Sequence, residues 1–201
     1  MGFGYKTAWI AVHHRSTIEV ADALSLARRR MLSYPEGTAL GYRDGVYVAA
    51  PHAGWTLAHG RALSTGIDPT STAFAAWLAA LSRRLGEVQY FGTHRVSESH
   101  QWAWARDGQI LRAYAFANAD VPLFLGPPTD AEREAGVGVR PLDEGYQQWT
   151  EDDWDTWFAT TPGEQDVMQI AGRWSIDPTA LDEDQIEAPG IHGYPTTAAR
   201  E

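Results

Sequence analysis

His94, Glu98 and His100 are the residues whose chemistry is weighed first, because two imidazoles and a carboxylate so close in sequence can bind a metal ion or move protons. Their H-x3-E-x-H spacing spans the end of one candidate strand and the connection to the next, with Arg112 on a nearby strand as an anion holder. The spacing matches no standard ligand set, and strand-end histidines also serve simply by hydrogen bonding to backbone. His13, His14, His52 and His59 sit at strand ends and in a hairpin, places that often carry sites. No G-x-S-x-G elbow, H-E-x-x-H or P-loop occurs. Gly2-x-Gly4 precedes a strand where a dinucleotide fingerprint would follow one. Neither a metal nor a cofactor is expected.

Aromatic and acidic residues supply a different chemistry, recognition. Nine Trp in 201 residues imply an aromatic core or an aromatic-lined binding surface. Trp102, Trp104, Tyr114 and Phe116 are the candidate lining. Residues 1–129 carry twelve Arg and Lys against nine Asp and Glu, whereas residues 130–201 carry four Arg against seventeen acids. The second segment thus has a net charge of −13 against +3 for the first. Glu151, Asp152, Asp153 and Asp155 form its clearest cluster, and Asp182, Glu183 and Asp184 another. Neither shows the alternating loop of a calcium site, and carboxylates at 151–155 suit a helix N-terminus. Such a surface attracts a basic partner and repels a phosphate backbone, so nucleic acid is not the expected partner.

The elements that must position these residues are partly legible. Thr7–His13 reads as a strand, and Ser16 with Glu19 forms a capping box. The helix it opens is expected to bury Ile18, Ala21, Leu24 and Ala27 and to end in Arg28-Arg29-Arg30. Residues 46–50 and 55–60 read as a hairpin, and Phe74, Trp77, Leu78, Leu81 and Leu85 as the buried stripe of a helix capped by Gly86. Residues 87–95, 101–106, 109–116 and 121–125 follow as strands. Asp107-Gly108 predicts a tight hairpin pairing Trp104 with Leu111 and Trp102 with Ala113. That register places Trp102 and Trp104 on one face and Arg112, Tyr114 and Phe116 on the other.

Both faces of this hairpin are apolar, so helices are expected on both sides of an antiparallel sheet, an α+β fold. Residues 1–128 form its core. The acidic segment, 129–181, carries helices near 129–135, 150–158 and 164–174 and packs on the sheet within the same domain, with 136–145 as loop. From Asp182 to Glu201 a loose tail is expected. The chain has no Cys and no apolar run of about 20 residues, and residues 1–6 lack the features of a secretory signal, so the expected compartment is the cytoplasm, away from membranes.

Gly54-Trp55-Thr56-Leu57 with Gly60, the stretch GEVQYFGTHR at 86–95, and Asp166-Val167-Met168 leading to Ala171-Gly172-Arg173-Trp174-Ser175-Ile176-Asp177-Pro178 resemble a group of uncharacterised soluble proteins from high-GC bacteria. The resemblance implies a free-standing bacterial protein and transfers no catalytic residue. Two functions remain open. One is an immunity- or antitoxin-like protein that binds a basic partner. The other is a small-molecule enzyme or ligand-binding protein of the secondary-metabolism type, whose pocket would be lined by Trp102, Trp104, Tyr114 and Phe116 with His94, His100 and Arg112 as polar groups.

Overall fold

The computed structural model describes residues 2–66, 68, 71–138, 141–142 and 145–196. Strands β1 (Thr7–His13), β2 (Leu26–Leu32), β3 (Val46–Val48) and β4 (Trp55–His59) alternate with helices α1 (Thr17–Ala23), α2 (Tyr34–Arg43) and α3 (Arg61–Gly66). Helix α4 (Thr72–Leu85) leads to the meander β5 (Glu87–His94), β6 (Ser99–Arg106), β7 (Gln109–Ala117) and β8 (Asp120–Leu125). Helices α5 (Asp130–Ala135), α6 (Glu151–Ala159) and α7 (Glu164–Trp174) follow, and β9 (Gly190–Pro195) closes the chain's order of elements. All nine strands join one antiparallel sheet in the order β2-β9-β3-β4-β1-β5-β6-β7-β8, the α+β architecture expected.

One row of cross-strand neighbours runs the width of the sheet. It passes from Arg30 to His192, Tyr47, His59, Trp9, Phe91, Trp102, Tyr114 and Phe124, one residue per strand. Directly opposed side chains touch, so the row forms an aromatic spine. On this face Tyr34 of α2, Ala131 of α5, Trp157 of α6, and Val167, Met168, Ile170 and Ala171 of α7 share a core with the sheet aromatics. On the opposite face α1, α3 and α4 bury Val20, Leu63, Phe74 and Leu78 over Ile10, Val12, Ala103, Ala105 and Ala113. Gly37 lets α2 reach the spine, since a Cβ there would fall 2.0 Å from the Tyr47 ring.

Three expectations are corrected. Helix α1 ends at Ala23, and Arg28, Arg29 and Arg30 belong to the edge strand β2. Ile18 of the predicted apolar stripe is 61% exposed. Ser25 and Arg28 take φ values of 52°, which breaks the helical path, and the register of β2 shifts between Ala27 and Arg30. A bulged, arginine-rich edge resists pairing with a foreign strand. Pro122 does the same on the other edge strand, β8.

The expected tail from Asp182 is instead built into the fold as far as Thr196. Strand β9 is inserted between β2 and β3, where Ile191 and His192 are buried. Gly190 permits this close fit, because a Cβ would lie 2.3 Å from the Val48 carbonyl. Residues 197–201 of the expected tail lie outside the described residues, as do 139–140 and 143–144 of the predicted loop.

The hairpin register also differs. Asp107 and Gly108 make the tight turn with φ of 49° and 86°, but a shift between Ala105 and Trp104 pairs Trp104 with Arg112 and Trp102 with Tyr114. Arg112, Tyr114 and Phe116 therefore join Trp102 and Trp104 on the spine face. The bulge sorts side chains by size, leaving Ala103, Ala105 and Ala113 beneath α4, where small residues let a helix lie close.

Candidate functional site

The sheet separates the residues of the H-x3-E-x-H spacing. Thr93 pairs with His100 and His94 with Ser99, so alternation of the pleat turns His94 and His100 to opposite faces. His94 is exposed, its Nδ1 3.0 Å from Ser97 Oγ. His100 is 5% exposed and its Nδ1 lies 2.9 Å from Thr93 Oγ1. Glu98 is exposed in the connecting turn. Among the described residues no group of three or more acidic, His or Cys side chains is placed to hold a metal ion.

Arg112 pairs four positions along β6 from His100, too far to share its site. It is fully buried and engages Glu132 of α5 through Nε at 2.9 Å and Nη2 at 2.6 Å to Oε1. Nη1 donates to the carbonyls of Leu125 and Gly126 at 3.2 and 3.0 Å, and the guanidinium lies 4.4 Å from the Phe124 ring centroid. Glu132 Oε2 accepts from the Thr129 backbone N–H at 2.8 Å, so the same carboxylate caps α5. Every part of this pair is spent on structure. It clamps the acidic segment to the sheet, and removing either partner would strand a buried charge.

The candidate binding aromatics are likewise divided. Trp102 and Tyr114 are 0% and 1% exposed and stack with centroids 4.4 Å apart, sealed inside the core. Trp104 and Arg112 line a 470 Å³ cleft against α5 and α7, where Trp174 lies 5.4 Å from Trp104. Phe116 and His100 line a separate recess. His94 borders a third pocket, of 350 Å³, on the opposite face, with Lys6, Ser64, Asp68, Tyr90 and Gln101, none of which the sequence singled out.

Helix α6 presents a surface of another kind. Thr150 caps it, and Asp153 closes the capping box by accepting from the Thr150 backbone N–H at 2.8 Å. These hydrogen bonds hold the Asp153 carboxyl below its usual range. Asp153 is therefore occupied, whereas Glu151, Asp152 and Asp155 are exposed and enter no salt bridge among the described residues. The helical turn directs Trp157 inward, 7% exposed and 6.2 Å from Phe116. Trp154 and Phe158 flank it and stack on each other at 5.9 Å, with Trp149 at 5.0 Å and Tyr146 at 6.2 Å from Trp154. Phe158 remains 52% exposed and Tyr146 36%. Four aromatic rings thus cluster at the surface with exposed carboxylates beside them. Tyr146 and Trp149 carried no periodic signal in the sequence, being in and beside a short 3-10 turn (Tyr146–Gln148).

A 230 Å³ recess opens beside this cluster, between the ends of β6 and β7 and the corner joining α6 to α7. Glu98, His100, Phe116, Phe158 and Pro162 line it together with Ala119 and Thr161. Burial lowers the pKa of His100, while the carboxylates of Glu164, Asp166 and Glu98 oppose that shift. The imidazole is neutral at neutral pH, and the recess holds negative charge without a cation among its lining residues.

Set against models of known protein families, curated proteins and solved structures, the chain matches none of them. No helix among the described residues is long and apolar enough to cross a membrane.

Proposed function

We propose that this chain is a binding protein of the immunity or antitoxin type, which docks a basic protein through the outward face of α6. The observation that carries this reading is the surface cluster of Tyr146, Trp149, Trp154 and Phe158 beside the exposed carboxylates of Glu151, Asp152 and Asp155, which form no salt bridge among the described residues. Aromatic side chains at an interface supply most of its binding energy, and flanking charges steer a partner of opposite sign. The net charge of −13 over residues 130–201 extends the field beyond the helix itself.

The test compares the native chain with an E151Q/D152N/D155N variant as bait in lysate of the cell that makes it. Asp153 is kept because it caps α6. The expected result is a basic protein retained by the native chain, eluted as salt rises, and retained at least about tenfold less by the variant. Retention of nothing, or equal retention by both baits, would overturn the reading. A second reading, a small-molecule binding protein, is favoured by the 470 Å³ cleft beside Trp104 and Trp174, where Trp104 Nε1 lacks a hydrogen-bond partner among the described residues.

A further inference from the structure

We propose that the 230 Å³ recess beside α6 is the seat of a single arginine side chain supplied by the basic partner. This rests on the docking role of α6 and adds to it the point at which the partner is anchored. Phe158 belongs both to the surface cluster and to the recess wall, so a partner lying on α6 has the recess within reach. The lining combines the rings of Phe116, Phe158 and neutral His100 with the Glu98 carboxylate. Glu164 and Asp166, at the start of α7, add their charge to that of Glu98 at His100.

Glu164 stands outside the lining of the recess and contributes its charge there, not a contact. Its Oε1 is shielded from solvent and accepts no hydrogen bond among the described residues. Asp166 differs, because its Oδ2 already accepts from the Gly163 backbone N–H at 2.7 Å. Arginine fits better than lysine, since its flat guanidinium lies against aromatic faces while its fork of N–H groups meets carboxylates.

The probe is N-acetyl-arginine methylamide, titrated into the full isotope-labelled chain and followed by amide chemical shifts. N-acetyl-citrulline methylamide, of the same shape without the charge, is the comparison, and N-acetyl-lysine methylamide tests the choice of cation. Saturable shifts centred on Glu98, His100 and Thr161 are expected, about tenfold weaker with citrulline and weaker in Glu98→Gln. Absent shifts, shifts centred elsewhere, or equal binding of citrulline would overturn the recess. Equal binding of lysine would overturn the assignment to arginine. Glu98 is exposed, so its variant should fold, and Phe158→Ala provides a second variant with the same expected loss. A partner held through α6 by a chain whose recess ignores arginine would sink only the anchor. A recess that takes arginine in a chain that retains no partner would sink the docking role.

Discussion

Across the middle of the sheet Trp9, Phe91, Trp102 and Tyr114 stand on neighbouring strands, and each is at most 1% exposed. On α6, Trp154 and Phe158 also stack, yet Phe158 keeps 52% of its surface open. The residue types are alike; the surroundings are not. A sheet ring has cross-strand neighbours on both sides and helices above, so its burial is complete and contributes to folding. A single helix on a core seats one stripe. Trp157 takes that place, while Trp154 and Phe158 beside it stack on its edges and on each other and are less deeply buried. Aromatic surface that folding leaves open is available for association.

The largest effect that would sharpen this contrast is expected in the spine. Trp102→Ala should cost about 3–5 kcal/mol of stability, measured by denaturant unfolding. A loss below about 1 kcal/mol would show that the spine is not the stabilising element.

Acid should act on the spine next. His59 is 1% exposed, stacks on Phe3 at 4.0 Å, and has no hydrogen-bond partner at either ring nitrogen among the described residues. Burial, reinforced by His192, lowers its pKa from 6.5 to about 3. Tyr42 and Tyr47 are its other ring neighbours. The folded state therefore binds fewer protons than the unfolded state between those values, and stability must rise with pH there. The contribution is complete above 6.5 and falls away as pH drops toward 3, by at most about 1.4 kcal/mol per pH unit. Thermal unfolding of His59→Phe across that window should show a flatter acid dependence than the native chain. An unchanged slope would place the acid sensitivity elsewhere.

The smallest effect should come from α6. Phe158→Ala is expected to change stability by no more than about 0.5 kcal/mol while reducing retention of the basic partner. A stability loss above about 2 kcal/mol would make Phe158 a core residue and end the contrast.

The hydrogen-bonded geometry of nearby residues was legible in advance. The capping box of Ser16 and Glu19, the Thr150 start of α6, the Gly86 cap of α4 and the Asp107-Gly108 turn all lie where their residue types place them. The register of that turn was not, because the bulge beyond it depends on α4 needing alanines and on Glu132 meeting Arg112. A one-residue slip exchanges the two faces of a strand, and local patterns cannot see it. The candidate site was visible only in part. Glu151, Asp152 and Asp155 stood out as a charged helix start, with Trp154, Trp157 and Phe158 expected to pack together as one face. Only Trp157 is buried, Phe158 stays 52% exposed, and nothing in the order of residues revealed that Glu98 and His100 would border a recess beside it.

Sequence alone determined the acidic asymmetry, the absence of cysteine chemistry and helices α4, α5, α6 and α7, since charge, composition and capping act over a few residues. Tertiary structure decided that β2 and β9 pair across more than 150 residues, that Arg112 is a clamp, and that His94 and His100 face apart. Those outcomes follow from which surfaces can be buried together, and burial is a property of the whole chain.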